Sequence, residues 1–482
     1  MKKEQKWFVL LAFAAFLPYC LYGFRYFPIL DDYIQYWAYP ARQDFSLIYL
    51  TYGTLATRPI ASLLDVTFWG QLWPVLPLAL FFITLLLVLS GLFMKKTANL
   101  YNLSLSPLFF LLLFLLPVGM EGRFWLSASS RLVVGLFFAS LSLYVGSHFM
   151  QKKRSVPLFL LFAILQLISC GFYESVAVFS VSAAVLLFCL SFSEQRKKLL
   201  FLVPAASVCN ISLLFGYYKL FADLGLQGSR AASVSASGLA DKIGVLFVQL
   251  GEVGKSAYSG LVGGFFSGIR VLFRAGVWGV LLFALILLTG LLLGFLYSKQ
   301  EQNKQVRIKK WLIFELGGFF LFVAPLIPNL LAEEVWITHR SVFISLIGLA
   351  LMLEPVFCLL PHRLRRLVLV VLSFMLLTAT VNEYDVYRRV HEADCQLLDR
   401  VIAEMSMDAK NGTEDVVVLL PGEVKTEQNA YYKDHVKSVF GSDWSLTGAV
   451  RARMESLAPR YIRPVLPGEA YETENSQIID LR

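Results

Sequence analysis

The sequence contains few charged residues. Only 16% of its 482 residues are Asp, Glu, Lys or Arg, whereas soluble globular chains average about 25%. Apolar residues make up 57% of the chain. This composition excludes an ordinary cytosolic enzyme, a disordered chain and a coiled coil. It predicts a protein that lies mostly in a lipid bilayer.

Motifs of common soluble enzymes are also missing. The chain has no P-loop, no nucleophile elbow and no glycine fingerprint after a strand. Its six cysteines have no metal-ligand spacing and predict no disulfide framework. The net charge of +9 does not indicate a nucleic-acid partner, because the Lys and Arg clusters lie between apolar runs.

About eleven apolar runs approach the roughly 20 residues that a spanning helix needs. The runs are 7–24, 73–94, 104–120, 131–150, 155–172, 175–192, 199–217, 275–297, 311–330, 341–360 and 366–382. The first run lacks a signal-peptide cleavage site and is expected to remain as a span. The third run is short and is interrupted by Pro107 and Pro117. The predicted fold class is an all-α polytopic membrane protein.

Basic residues occupy every second junction between these runs. They fall at 2–6, 95–96, 152–154, 196–198, 299–310 and 363–366, whereas the other junctions carry Asp31, Asp32, Glu121, Glu174, Glu333 and Glu334. Basic loops stay in the cytoplasm. We therefore expect a multi-pass protein of the cytoplasmic membrane, with its N-terminus inside and its C-terminus outside.

Three segments do not fit in the bilayer. Residues 25–72 form a first outer loop that is rich in Tyr and Trp, which predicts short interfacial helices. Residues 218–274 form a second outer segment, in which 239–273 is expected to make another interfacial helix pair. Residues 383–482 are polar and include a strand at 416–420. They predict a small outer α/β appendage after a membrane domain at 1–382.

Ionisable side chains at the outer ends of the spans are the candidates for chemistry, because charge at membrane depth is costly. Asp31 and Asp32 follow the first span and point about 100° apart on a helix, so only one can face a reacting atom. The alternative is a pair of helix-capping residues. Glu174, beside Tyr173, lies in an otherwise apolar stretch and needs a cationic partner.

Several basic side chains share the same outer level. Arg58 precedes Pro59, which is expected to start a helix, and Arg340 starts a span. A guanidinium at the height of the headgroups binds phosphate well, although such a side chain can instead only snorkel to the interface. The other candidates for binding substrate or lipid phosphate are Arg123, Arg131 and His339. Arg123 has the alternative of pairing with Glu121.

This combination of features resembles the C-type (GT-C) glycosyltransferases of membranes, in particular bacterial O-antigen and wall-polymer glucosyltransferase-like proteins. The segment 31–33 (Asp-Asp-Tyr) looks like the acidic motif of their first outer loop. The segment 57–59 (Thr-Arg-Pro) resembles the arginine-containing segment that often follows. The segment 173–174 (Tyr-Glu) is similar to a motif at a later outer span end. The resemblance covers the topology of most of the chain.

The resemblance implies transfer of a sugar from a polyprenyl-phosphate donor to a hydroxyl of a surface glycan on the outer face, with inversion. Asp31 or Asp32 would be the general base, and cationic side chains would stabilise the leaving phosphate. No cofactor is required, but a divalent cation fits beside the acidic pair. The expected partners are the donor lipid, the glycan acceptor, membrane lipid, and a polyprenyl-phosphate glycosyltransferase with a small flippase to supply the donor.

Two other classes of function stay open. A flippase or transporter of lipid-linked sugars would also line a cavity with charge, although transporter sites usually lie near the bilayer midplane. A surface-polymer ligase or polymerase would use the same kind of donor on the same face.

Overall fold

The computed structural model describes residues 3–42, 58–151, 155–191, 201–223, 238–298, 308–332, 335–422, 437–471 and 476–482. Most of these residues are helical, and one small sheet lies near the C-terminus. The α-helices are Lys3–Phe16, Tyr39–Arg42, Pro59–Leu64, Leu76–Leu100, Pro107–Leu115, Met120–Arg123, Leu126–Gln151, Val156–Cys170, Glu174–Ser191, Leu202–Asp223, Leu239–Arg274, Gly276–Ser298, Ile308–Val323, Ile327–Leu331, His339–Val342, Leu346–Leu359, His362–Glu404, Met407–Asn411 and Asp443–Met454. The 3₁₀ or π turns are Leu17–Tyr22, Tyr33–Ala38, Asp65–Trp69, Gly70–Val75, Pro117–Gly119, Ala324–Leu326 and Val439–Gly441.

Among the described residues, six helical stretches are long and apolar enough to cross a membrane. They are Pro59–Leu100, Leu126–Gln151, Glu174–Ser191, Gly276–Tyr297, Trp311–Leu331 and His362–Glu404. Three shorter apolar helices accompany them at Lys6–Tyr22, Val156–Cys170 and Leu346–Leu359. The architecture agrees with a helical membrane protein, whereas the count of about eleven spans and the sidedness stay predictions.

The predicted run 104–120 is not one helix. The Ser106 hydroxyl accepts a hydrogen bond from the Leu108 amide and caps a helix that begins at Pro107. The helix ends at Leu115, since Pro117 has no N–H to continue it. All nine of its residues are buried. This short helix is therefore enclosed by protein, as expected for a helix that is apolar on every side.

The helix ends that lead into four of the basic junctions meet in two clusters. The Lys95 ammonium lies 4.0 Å from the centre of the Trp7 ring. Tyr101 and Gln151 each hydrogen-bond to the Ser191 hydroxyl at 3.1 Å. The residues beside junctions 2–6 and 95–96, and those beside 152–154 and 196–198, are thus brought together.

Helix Leu239–Arg274 differs from the expected interfacial helix pair, because it is one continuous helix of 36 residues. It crosses helix His362–Glu404 at very short range. A Cβ atom at Gly268 would lie 2.1 Å from the Thr378 carbonyl oxygen. The absence of a side chain at this position lets the two backbones touch. The predicted outer segment 218–274 begins inside the preceding helix Leu202–Asp223.

The C-terminal region contains a three-stranded parallel sheet with the order β2-β1-β3. Its strands are β1 (Asp415–Leu419), β2 (Ile462–Val465) and β3 (Ser476–Asp480), so the predicted strand is confirmed. Helix His362–Glu404 passes the predicted boundary at 383 without a break.

Helix Asp443–Met454 of this C-terminal region packs on the turn Tyr33–Ala38. A Cβ atom at Gly448 would lie 2.8 Å from the Ile34 Cγ1 atom. The contact connects the C-terminal region directly to the segment that carries the acidic pair. The sheet and its helix therefore bear on the position of Asp31 and Asp32.

Candidate active site

Asp32 is completely buried, and it is enclosed by the preceding segment 26–29 and the start of helix Leu126–Gln151. Its Oδ1 atom accepts hydrogen bonds from the Ser127 amide at 3.0 Å and hydroxyl at 2.7 Å. Its Oδ2 atom accepts from the Tyr26 hydroxyl at 2.6 Å and the Ile29 amide at 3.1 Å. Burial raises the pKa of Asp32 to about 7, although these four hydrogen bonds favour the ionised form. Asp32 therefore fixes the local fold.

Asp31 has a different environment from its neighbour. It is half-buried, and its backbone carbonyl accepts the first hydrogen bonds of the turn Tyr33–Ala38, from the Ile34 and Gln35 amides. No described side chain donates a hydrogen bond to its carboxylate. The charge of Asp31 acts on the guanidinium of Arg340. Asp31 is thus the member of the pair that faces other charged groups.

Arg340 lies at the start of the short helix His339–Val342. Its Nε atom is 3.8 Å from the Oε1 atom of Glu121. Two indole rings flank its guanidinium, with ring centres 5.1 Å away for Trp125 and 5.9 Å away for Trp336. The Arg340 side chain keeps 22% of its surface exposed. A carboxylate lies at its Nε edge and two rings flank it, and no other described residue accepts a hydrogen bond from its remaining donors.

Arg58 is the cationic partner that Glu174 was expected to need. Its Nη2 atom lies 3.1 Å from the Glu174 Oε2 atom, and its guanidinium carbon lies 4.0 Å from the centre of the Tyr173 ring. Pro59 begins the helix after Arg58, as predicted. The Ile60 amide donates to the Gly171 carbonyl at 3.1 Å, which fixes this loop beside Glu174. Thr57, the other member of the predicted motif, lies outside the described residues.

Apart from the enclosed Asp32, the predicted residues therefore fall into two groups. Asp31, Arg58, Tyr173, Glu174 and Arg340 come together, because Tyr173, Asp31 and Arg58 all act electrostatically on Arg340. Arg123, Arg131 and His339 belong to other contacts, described next.

Three predicted binding residues point into the protein. The Arg131 guanidinium pairs with Asp65 at 3.0 Å, with both side chains buried. Arg123 donates to the Leu116 carbonyl at 2.8 Å and to the Thr380 hydroxyl at 3.2 Å. The His339 ring is buried, with its Nε2 atom 2.8 Å from the Ser256 hydroxyl. These residues stabilise helix packing, and the geometry gives them no direct access to a ligand beside Arg340.

Sequence reasoning did not include Glu121, Trp125 or Trp336 among the site residues. Glu121 was interpreted as a partner for Arg123, two residues away, whereas its carboxylate lies beside Arg340. The spacing of Glu121 and Trp125 is one helical turn, which was an available signal for a shared face. Trp336 is 55% exposed beside Arg340. Glu333 and Glu334, the acidic residues of the junction just before Arg340, lie outside the described residues.

The Asp32 carboxylate is poorly suited to share a cation with Asp31. All four acceptor directions of Asp32 are already used by N–H and O–H donors, so its oxygens cannot also ligate a cation without losing them. Across the described part of the chain, no group of three or more His, Cys, Asp or Glu side chains is suited to hold a metal ion.

An apolar cavity of about 110 Å³ extends along helix Glu174–Ser191. The helix contributes Phe179, Ala183, Leu186, Leu187 and Leu190 to one wall. Helix Ile308–Val323 contributes Ile313, Phe314, Gly317 and Leu321 to another. The same helix that carries Glu174 at its first residue therefore lines a space suited to hydrocarbon.

Comparison with family models and with curated proteins finds no match to this sequence. Chemically, the arrangement offers one carboxylate that is able to accept a proton, two guanidinium groups that bind oxyanions, and exposed indole surface. These groups lie at one end of an apolar helix bundle. Groups of these kinds are chemically suited to a hydroxyl group and a phosphate.

Proposed function

We propose that this protein is an integral membrane glycosyltransferase that moves a sugar from a polyprenyl-phosphate donor to a hydroxyl of a surface glycan. The observation that carries the proposal is that a half-buried carboxylate, Asp31, acts electrostatically on the ring-flanked guanidinium of Arg340 without forming an ion pair with it in the described structure. A general base and a phosphate-binding group are the two parts that such a transfer needs. The absence of nucleotide-binding motifs is consistent with this donor, since it is a lipid.

The reaction proceeds by direct displacement. The Asp31 carboxylate takes the proton of the acceptor hydroxyl while the acceptor oxygen attacks the anomeric carbon. The bond between that carbon and the phosphate oxygen breaks, and the phosphate leaves with the electron pair. Arg340, supported by Arg58, stabilises the negative charge that develops on it. Attack from the side opposite the phosphate inverts the anomeric centre, so one carboxylate is sufficient.

The apolar cavity beside helix Glu174–Ser191, at about 110 Å³, has room for only about one isoprene unit, so it would contact a short part of the donor's hydrocarbon chain while the rest lies in the bilayer. At 1.5 Å per residue, the cavity wall from Phe179 to Leu190 begins about 8 Å and ends about 24 Å along the helix from Glu174. An isoprenoid chain anchored near Arg58 and Arg340 by its phosphate would run along this wall. From the charge pattern of the junctions, we expect this end of the bundle to lie at the outer face of the cytoplasmic membrane.

The candidate residues favour a transferase over a flippase. Transporter sites usually lie near the bilayer midplane in broken helices, whereas Asp31, Arg58 and Arg340 all lie at helix ends. A surface-polymer ligase or polymerase would use a similar donor and is distinguished by its product. No contact in the described residues favours either alternative, so we retain them as outcomes of the test.

A deletion strain tests the proposed function. Its surface glycopolymer and its lipid-linked sugar pool are analysed together. A transferase predicts loss of a single side-branch sugar from the polymer, with a lipid-linked monosaccharide accumulating on the outer face. Accumulation on the inner face alone would indicate a flippase instead. Loss of whole polymer chains, with accumulated lipid-linked oligosaccharide, would indicate a ligase or polymerase.

A further inference from the structure

Glu121 forms an ion pair with Arg340 in the described part of the chain. It lies on the short helix Met120–Arg123, has 3% of its surface exposed, and places Oε1 3.8 Å from the Arg340 Nε atom. The helix that carries it is tightly fitted against the segment after Arg340. A Cβ atom at Gly122 would lie 2.6 Å from the Phe343 Cγ atom. The two short helices are therefore held in a defined relationship.

The neighbouring Arg123 does not take part in this ion pair. Its guanidinium is engaged by the Leu116 carbonyl and the Thr380 hydroxyl. These contacts anchor the helix that carries Glu121 to helix His362–Glu404. The Glu121 carboxylate is thus presented to Arg340 from a rigid support, which is the condition for one side chain to orient another.

Two carboxylates compete for the Arg340 guanidinium. Glu121 approaches its Nε edge, and Asp31 is the other carboxylate that acts on it. Guanidinium forms its strongest contacts with carboxylates when two donors are used together. If Arg340 turned to form such a two-donor contact with Asp31, the contact would neutralise the general base. It would also occupy the guanidinium that binds the phosphate.

We propose that Glu121 is a positioning residue that holds the Nε edge of Arg340, so that its outer edge is directed at the donor phosphate and Asp31 stays out of a salt bridge. The inference rests on the proposed function. It assigns Glu121 no contact with substrate. Loss of the Glu121 charge releases Arg340 toward Asp31, which impairs both groups at once.

A double-mutant cycle tests this assignment. Glu121→Gln, Arg340→Gln and the double variant are assayed for kcat and for the donor KM. We expect Glu121→Gln to lower kcat about 10-fold, and to cause no further loss once Arg340 is already Gln, since coupled residues are not additive. The control is Glu354→Gln, which removes a buried carboxylate that contacts Ser106 and not Arg340. It should keep near-normal kcat.

The inference is overturned if the effects of Glu121→Gln and Arg340→Gln multiply, or if Glu121→Gln has normal kcat. If Glu121→Gln does not fold, Glu121→Asp replaces it in the cycle. That variant keeps the charge at a shorter reach, and we expect an intermediate loss of kcat.

A binding version of the cycle separates this inference from the proposed function. Binding of undecaprenyl phosphate to each variant in detergent is followed by tryptophan fluorescence, because Trp125 and Trp336 flank Arg340. If no variant transfers sugar but the binding effects are still coupled, the proposed reaction fails and the positioning role stands. Additive binding effects would reject the positioning role.

Discussion

Asp31 and Asp32 are adjacent in the chain, yet only Asp32 is enclosed. Four hydrogen bonds satisfy the Asp32 carboxylate, whereas the half-buried Asp31 carboxylate receives none from the described side chains and lies within the electrostatic reach of Arg340. A general base must reach its proton and have a free lone pair. The pair therefore divides into a structural residue, Asp32, and a candidate base, Asp31.

The first prediction concerns the stability that Asp32 contributes. Because burial raises its folded-state pKa to about 7, the folded protein keeps a proton on Asp32 that the unfolded chain loses near pH 4. The associated stability is complete below that pH and is lost as pH rises through 7. We expect the thermal stability of the wild type to fall from pH 5 to pH 8 relative to Asp32→Asn, by about 2 kcal/mol.

Thermal unfolding in detergent across that pH range measures the effect. Asp32→Asn should be less stable at pH 5, because its amide nitrogen can only donate, whereas the O–H oxygen of the protonated Asp32 carboxyl can still accept a hydrogen bond. The difference in thermal stability between the wild type and Asp32→Asn should narrow as the pH rises. If the thermal stabilities of the two proteins instead change in parallel between pH 5 and pH 8, Asp32 is ionised over the whole range and its burial has little effect on stability.

The second prediction concerns Arg340 as the phosphate-binding group. A charge-assisted hydrogen bond contributes about 1.5–3 kcal/mol, so Arg340→Ala should raise the donor KM or weaken undecaprenyl phosphate binding by about 10-fold or more. Arg340→Lys should recover only part of the affinity, because it keeps the charge and loses the planar fork. The matched control is Arg453→Ala, which breaks an exposed ion pair with Asp399. Unchanged affinity in folded Arg340→Ala would make Arg340 a snorkelling residue.

The third prediction concerns Arg131, which sequence reasoning placed among the phosphate-binding residues. Removing one partner of a buried ion pair typically costs about 3–5 kcal/mol. Arg131→Met should therefore lower the thermal stability strongly, and the additional change Asp65→Asn should recover part of it. The folded fraction should bind undecaprenyl phosphate normally. A loss of affinity at unchanged stability would show instead that Arg131 contacts the donor.

The fourth prediction concerns the contact between the C-terminal region and the turn after Asp31. Gly448→Val places methyl groups where the Ile34 side chain lies, so the turn or the helix Asp443–Met454 must shift. We expect kcat to fall about 10-fold or more, since small misplacements of a catalytic group are costly. Gly441→Val is the matched control, because its Cβ would meet no atom within 4 Å. Equal kcat values for Gly448→Val and Gly441→Val would show that this contact of the C-terminal region does not affect catalysis.

Local patterns were sufficient to predict much of the fold. Long apolar runs, Pro59 at a helix start and the strand near 416 were all readable, because they depend on neighbouring residues. The break after Leu115 was harder to place, although Pro117 marked it. The continuity of Leu239–Arg274 was missed, since its apolar and small residues were interpreted as a helix pair.

The site could be predicted less completely, because its contacts join distant segments. Arg131 and Arg340 look alike in sequence, and only the partner of Arg131, Asp65, reveals its structural role. Helical geometry indicated that Asp31 and Asp32 diverge. It could not show which of them is enclosed by Ser127, which comes from another helix. Glu121 was assigned to its sequence neighbour Arg123 for the same reason, because its partner Arg340 comes from a distant segment.

The role of Asp31 is tested most directly by Asp31→Asn in the deletion strain, with wild type and Asp32→Asn expressed alongside. Lipid-linked and polymer-linked sugar are quantified in each strain, and undecaprenyl phosphate binding is measured on the purified proteins. We predict that Asp31→Asn lowers transfer by about 10²–10⁴-fold, as expected for loss of a general base, while it binds the lipid phosphate normally and accumulates the lipid-linked sugar. Normal transfer by folded Asp31→Asn would contradict the account.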